Sequence, residues 1–275
     1  MRRIVSGIIY ALSAAIGVLA FIYPFFVDVP LQVHGQAHSQ DAPLVTAALV
    51  GLSVVALLVE LQGRAISAKT VALLGVLVSI TSVLRFIETA IPIPGGFSPI
   101  FAPIILAGYV FGGRFGFLMG AFTLLASALI TGGVGPWLPY QMFTAGWVGM
   151  TAGWLPHIKL PASRNAERAK RLQESLTLFA LCVLGFIWGL LYGVIMNIYF
   201  WPFAVGSASQ VWAPGLSLWE TLSHYAVFYM VTSLAWDMAR AIGNVVLILL
   251  LGTATVRALS RFRRRFHFEV RPADA

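Results

Sequence analysis

Cysteine occurs once, at Cys182 inside an apolar run, which rules out an intrachain disulfide and a thiolate metal cluster. Charge is scarce too: Asp, Glu, Lys and Arg together make up 10% of the chain, against about 25% in an ordinary soluble domain. The patterns H-E-x-x-H, G-x-S-x-G and G-x-x-x-x-G-K-[ST] are all missing, and none of the three lysines, Lys69, Lys159 and Lys170, follows a glycine loop. Zinc-protease, serine-hydrolase and P-loop ATPase chemistry are thereby excluded, and any ATP that drives this protein is hydrolysed by another chain. His34 and His38 in "DVPLQVHGQAHSQDAP", near Asp28 and Asp41, have a spacing a metal could use, but a hydrophilic loop holding Pro and Gly accounts for them without one. No metal ligand and no catalytic residue is assigned, and no catalytic cofactor is expected. An intramembrane enzyme would need a polar set beyond one charge cluster.

What the chain does have is apolar length. With 59% hydrophobic residues and a mean hydropathy of +0.86, it reads as an all-α integral membrane protein. Its apolar runs do not alternate, so helices rather than a β-barrel must satisfy the backbone in lipid. The opening "MRRIVSGIIYALSAAIGVLAFIYPFFV" has the basic flank of a signal peptide but too long an apolar part and no convincing cleavage site, and is expected to stay as a first helix. Eight spans are predicted, near 4–27, 43–60, 70–91, 98–111, 116–131, 140–156, 176–200 and 235–257.

Alternating these spans from an inner N-terminus places sixteen of the eighteen basic residues on one side, from Arg2 and Arg3 to the tail "RFRRRFHF". The loops 28–42, 92–97, 131–139 and 202–218 on the other side hold none. This bias predicts N-in and C-in. The net charge of +8 then belongs to a cytoplasmic rim facing anionic lipid, with no nucleic acid as partner. The stretch "LSLWETLSHYAVFYMVTSLAW", 216–236, would reverse the tail if it spanned, so 216–233 is expected to be an outer interfacial or re-entrant helix. The one long hydrophilic linker, 157–175, is a topology determinant that a solvated helix would also fit.

Two spans carry charge. Arg85 and Glu88 lie three apart in "TSVLRFIETAIP", and Asp237 and Arg240 three apart in "TSLAWDMARAIGNVV", with Asn244 continuing that face. Both pairs fall within roughly 10 Å of the outer surface by helical rise, and the four are expected either to clamp two helices or to face a ligand, since ionisable groups at depth need a partner or a wet cavity. On the same side, "TGGVGPWLP", 131–139, packs three glycines, two prolines and Trp137 into nine residues. Glycine lets backbone approach a ligand or a helix, and proline keeps the chain from coiling, so the turn reads either as a lid or as a tight interhelical connection. Loop 91–101, with Phe97, has the same character. Small residues four apart, Gly116 and Gly120, then Ala145, Gly149 and Gly153, predict close helix packing. Gln141 and Thr144 are the polar groups nearest the turn, and Trp188, Tyr192 and Tyr199 form a stripe in span seven.

From about residue 70 to 260 the chain resembles the substrate-binding S components of energy-coupling-factor (ECF) vitamin transporters. The likeness lies in "SPIFAPIILAGYVFGGRFGFLMGAFTLLASALITGGVGPWLPYQMFTAGWVGMTAGWLP" and "FYMVTSLAWDMARAIGNVVL", which look most like the cobalamin branch. The resemblance implies a six-helix domain, 67–260; the two-helix hairpin expected over 1–66 lies outside that pattern, and a basic cytoplasmic tail, 261–275, follows the domain. It implies capture of a vitamin, cobalamin first, in an outer pocket formed by Arg85, Glu88, Phe97, Trp137, Tyr140, Gln141, Asn197, Asp237, Arg240 and Asn244. It also implies a bacterial cell membrane and partnership with a transmembrane coupling subunit and two ATP-hydrolysing subunits. The small-residue docking face of such domains appears here as Gly75, Ser79 and Ser82. An S component for another vitamin or precursor, or a self-contained secondary transporter or channel, remain the alternatives.

Overall fold

Long apolar runs broken by glycine and proline give helices joined by short turns. The computed structural model describes residues 2–26, 42–62, 68–91, 97–155 and 166–265. Among them run nine α-helices: α1 (Arg2–Ile22), α2 (Ala42–Gln62), α3 (Ala68–Ala90), α4 (Phe101–Phe111), α5 (Gly113–Thr131), α6 (Leu138–Ala152), α7 (Ala166–Phe200), α8 (Leu218–Thr232) and α9 (Leu234–Arg265). No strand occurs among the described residues. Eight of the helices fall on the predicted spans, and five stretches are long and apolar enough to cross a membrane. His34, His38, loop residues 92–96 and the end of the tail lie outside the described residues.

The core sits where α4, α5 and α6 meet, around Ile104, Ile105, Phe117, Leu118, Met142 and Phe143. Glycine makes this contact possible. A Cβ added to Gly116 would lie 2.1 Å from the Gly149 carbonyl oxygen, and one on Gly120 2.1 Å from that of Ala145. The helices therefore touch backbone to backbone, and the expected small-residue packing is what holds them. A second such seam joins α7 to α9 through Gly185, Gly189 and Gly193 on consecutive turns, where a Cβ on Gly189 would lie 2.3 Å from the Ala241 Cα. The α1–α2 hairpin packs on the outside of this core: the Phe21 ring meets Tyr140 edge-on at 4.9 Å, Tyr10 meets Phe117 at 5.6 Å, and the bare Gly17 admits Phe143 and Trp147.

Three contacts gather one end of the bundle. The Tyr10 hydroxyl donates to the Arg114 carbonyl at 3.5 Å, Arg263 donates to the Val110 carbonyl at 2.7 Å near the C-terminus of α4, and Arg257 pairs with Glu174. This is the basic end. At 35 and 32 residues, α7 and α9 are about 52 and 48 Å long, well beyond a hydrocarbon layer of about 30 Å, and their surplus lies here. The opposite end carries α8, which starts on a capping box in which the Ser217 hydroxyl accepts from the Glu220 N–H and the Glu220 carboxylate accepts from the Ser217 N–H at 2.9 Å. Tyr225 and Phe228 seat α8 on Trp201, the Tyr225 hydroxyl donates to the Val194 carbonyl, and Leu218, Trp219, Met230 and Val231 remain outward. Stretch 216–233 is thus a helix laid on the end of α7, separated from α9 by Ser233 alone.

Candidate substrate-binding site

The end opposite the basic rim holds the 131–139 turn, and its glycines explain its shape. Gly132 ends α5 with φ +68°, and its N–H reaches the Ala128 carbonyl. Trp137 then folds back, its indole N–H donating to the Gly133 carbonyl at 3.2 Å, while a Cβ on Gly135 would lie 2.5 Å from the ring. The prolines set the chain into α6, whose first turn contains Pro139. The result is a compact turn carrying an indole that is 43% exposed.

Beneath it lies a cavity of about 400 Å³, walled by Arg85, Phe86 and Thr89 of α3, Ala128 and Thr131 of α5, and Gly133, Trp137 and Gln141. Three of the sequence-derived site residues, Arg85, Trp137 and Gln141, are brought together there. Arg85 is partly buried and makes no hydrogen bond or ion pair with the described residues; Glu88, one turn along, accepts instead from the Ser98 hydroxyl at 2.8 Å. An open arginine on a cavity wall in the outer half of an apolar helix has donors to give an incoming acceptor.

The second charged pair is placed differently. Asp237 is 1% exposed, and one of its oxygens pairs with the Arg240 guanidinium. Arg240 also donates to the Gly189 carbonyl at 3.3 Å and lies over the rings of Tyr192 at 5.4 Å and Phe101 at 5.9 Å. The carboxylate fits because Gly193 has no side chain: a Cβ there would fall 1.6 Å from its other oxygen. Asn244 is sealed, donating to the Gly185 carbonyl at 2.9 Å. Asp237, Arg240 and Asn244 thus tie α9 to α7. Tyr192, beneath the Arg240 guanidinium, packs in turn on the Phe101 ring of α4 at 4.7 Å.

The remaining site residues sit around this cluster without reaching the cavity wall. Tyr140 is fully buried between Phe21 and Tyr199. Asn197 accepts from the Ser233 hydroxyl at 3.1 Å. The Phe97 ring lies on the bare Gly243 of α9. Thr144 is turned inward to the Tyr140 carbonyl at 2.8 Å, and Trp188, Tyr192 and Tyr199 are buried. On α3, Gly75 and Ser79 face outward, while Ser82 is buried and donates to the Thr123 carbonyl at 3.3 Å, so the three do not share one open face. Sequence reasoning missed Gly193 and Ser98, the residues that decide what the two acids contact; the Gly185, Gly189, Gly193 spacing in "GFIWGLLYG" was the signal for the first. Among the described residues no group of three or more His, Cys, Asp or Glu could hold a metal.

Comparison with curated proteins and with solved structures returns no match. The family model for "ECF transporter, substrate-specific component" matches residues 69–252, about two thirds of the chain. That match takes in both charged pairs, the glycine turn and the cavity at Arg85, and the chain belongs to the family of ECF transporter substrate-specific components.

Proposed function

We propose that this protein captures a vitamin from the outer side of the membrane through the cavity beneath the 131–139 turn, with Arg85, Trp137 and Gln141 as the groups that touch it. As a member of its family it is the substrate-specificity subunit of an ECF transporter, a binding subunit that associates with the transmembrane and ATPase subunits of that machine. The single observation that carries the reading is the uncommitted Arg85 guanidinium on a 400 Å³ cavity. It calls for a ligand with an anionic or strongly accepting group beside an apolar or aromatic part that meets Trp137. Glu88, Phe97, Asp237, Arg240, Asn197, Tyr140 and Asn244 support this wall from behind.

Cobalamin is the first candidate, on the resemblance of residues 98–156 and 228–247 to its branch. It carries a phosphate for Arg85, and seating it requires the turn to swing away from α3. The cavity's own size lies toward the small end of ligand sites, roughly 300–1,000 Å³, and favours as a second reading a smaller vitamin or precursor. Titrating the purified protein with a vitamin panel separates them: quenching of tryptophan fluorescence by cobalamin that is diminished in Trp137→Phe, and a corrin absorption spectrum in the purified sample, support the first. Indifference to cobalamin with saturation by a smaller vitamin supports the second, and silence across the panel rejects both. Reconstituted alone in liposomes, the protein is expected to bind without sustaining accumulation, whereas a secondary transporter would accumulate ligand.

A further inference from the structure

A second groove lies at the basic end, apart from the cavity at Arg85, and vitamin capture does not use it. It encloses about 720 Å³ between the start of α7 and the end of α9. Its wall is graded. On α9, Arg257, Arg261 and Arg264 follow one another at helical spacing, and on α7 Lys170 and Glu174 face them. Toward the bilayer the same groove is floored by Leu178, Leu181 and Gly252. From Gly252 to Arg264 is about 18 Å along the helix, so one groove passes from apolar to strongly cationic.

The charges are not balanced within the protein. Glu174 is spent on Arg257, whose Nε donates to it at 3.0 Å and whose Nη2 makes the second contact of a bidentate pair. Lys170, Arg261 and Arg264 make no ion pair or hydrogen bond with the described residues. Four cations line the groove against one carboxylate, an excess of three positive charges that repel unless an anion joins them. Free phosphate would satisfy the cations and leave the leucines wet; a fatty chain would do the reverse.

We propose that this groove holds one anionic phospholipid of the cytoplasmic leaflet, its phosphate between Arg261, Arg264 and Lys170 and the first methylenes of an acyl chain on Leu178 and Leu181. The site lies where α7 and α9 leave the hydrocarbon, the depth at which a headgroup phosphate sits, and basic pockets between helices on that side take such headgroups. The inference rests on the membrane reading and on the basic end being cytoplasmic. It does not rest on which vitamin is bound.

Native mass spectrometry of the full chain in non-ionic detergent, with phosphatidylglycerol, phosphatidylcholine or inorganic phosphate added, tests it. One phosphatidylglycerol retained per chain is expected, with phosphatidylcholine lost on activation and inorganic phosphate failing to compete at millimolar concentration. In the double variant Arg261→Gln, Arg264→Gln, retention should weaken roughly 30-fold, the loss implied by about 1 kcal/mol for each cation, with thermal unfolding in detergent unchanged. The variant Arg168→Gln, Arg171→Gln removes the same charge outside the groove and should retain the lipid. Equal weakening in that control reduces the effect to general attraction by the rim and overturns a discrete site. Competition by inorganic phosphate, equal retention of phosphatidylcholine, or no retention by the unaltered protein overturns it as well.

Discussion

Arg85 and Arg240 look alike in the sequence, each three residues from an acid on an apolar helix near the outer end of a span, and they end in opposite situations. Arg240 is fully engaged by Asp237, the Gly189 carbonyl and two aromatic rings. Arg85 faces a cavity, and its neighbouring acid is taken by Ser98. The difference comes from the helix opposite. Gly189 and Gly193 let α9 come so close to α7 that the Asp237 carboxylate drops into the space of a missing side chain, whereas Arg85, one turn beyond the Ser82–Thr123 contact that joins α3 to α5, meets the open space beside the 131–139 turn. One pair fastens the bundle; the other is left for a ligand.

The sharpest way to break this contrast is to remove each arginine in turn. Arg240→Ala leaves the Asp237 carboxylate buried without its cation and is expected to destabilise the protein by about 3–5 kcal/mol, read as a large fall in unfolding temperature in detergent. Adding Asp237→Ala should recover much of the loss, because the uncompensated charge goes with it. Arg85→Ala removes no internal bond, so stability should stay within about 0.5 kcal/mol, while ligand affinity in a vitamin titration falls roughly 10–100-fold, the range of a charge-assisted hydrogen bond of about 1.5–3 kcal/mol. If Arg85→Ala unfolds like Arg240→Ala, the two residues share one structural role and the contrast fails.

Smaller effects sharpen the same picture. Trp137→Ala should weaken ligand binding roughly 2–10-fold, in line with about 0.5–1.5 kcal/mol for an aromatic contact, with unfolding unchanged; untouched binding would leave the turn a mere connection. At the start of α8, the Ser217 hydroxyl and backbone N–H hold the Glu220 carboxyl below its ordinary value of 4.5. A lowered folded-state value makes that contribution complete above the ordinary carboxylate range and lost as pH falls through the lowered one. Ser217→Ala should therefore loosen α8 at neutral pH and flatten its acid sensitivity, both visible in hydrogen exchange of the α8 amides.

The helices were legible in the sequence because apolar length and the one-sided placement of arginine are enough to find spans. Their ends were less so. Hydropathy stops α7 at residue 176, yet the charged stretch "AERAKRLQES" continues the helix back to Ala166, since water satisfies a polar helix surface as readily as a loop. The site was legible as a set of residues near one end, and only partly as a surface. Tyr140 and Asn244 were expected to face a ligand and instead lie inside helix contacts. In a chain apolar on every face, periodicity cannot say which side of a helix meets a neighbour. Glycine could have said it. The bare positions on α7 mark where α9 comes closest, and the Asp237 pocket follows from them.

The outer cavity is open at Gln141 and closed one seam away at Asn244. With Cys182 replaced by alanine, single cysteines at Gln141→Cys and Asn244→Cys would be exposed in intact cells to a membrane-impermeant maleimide. The first should label quickly and be protected by saturating vitamin, and the second should stay unmodified until the protein is unfolded. Failure of Gln141→Cys to label, or equal labelling at both positions, would contradict a receptacle beneath the 131–139 turn.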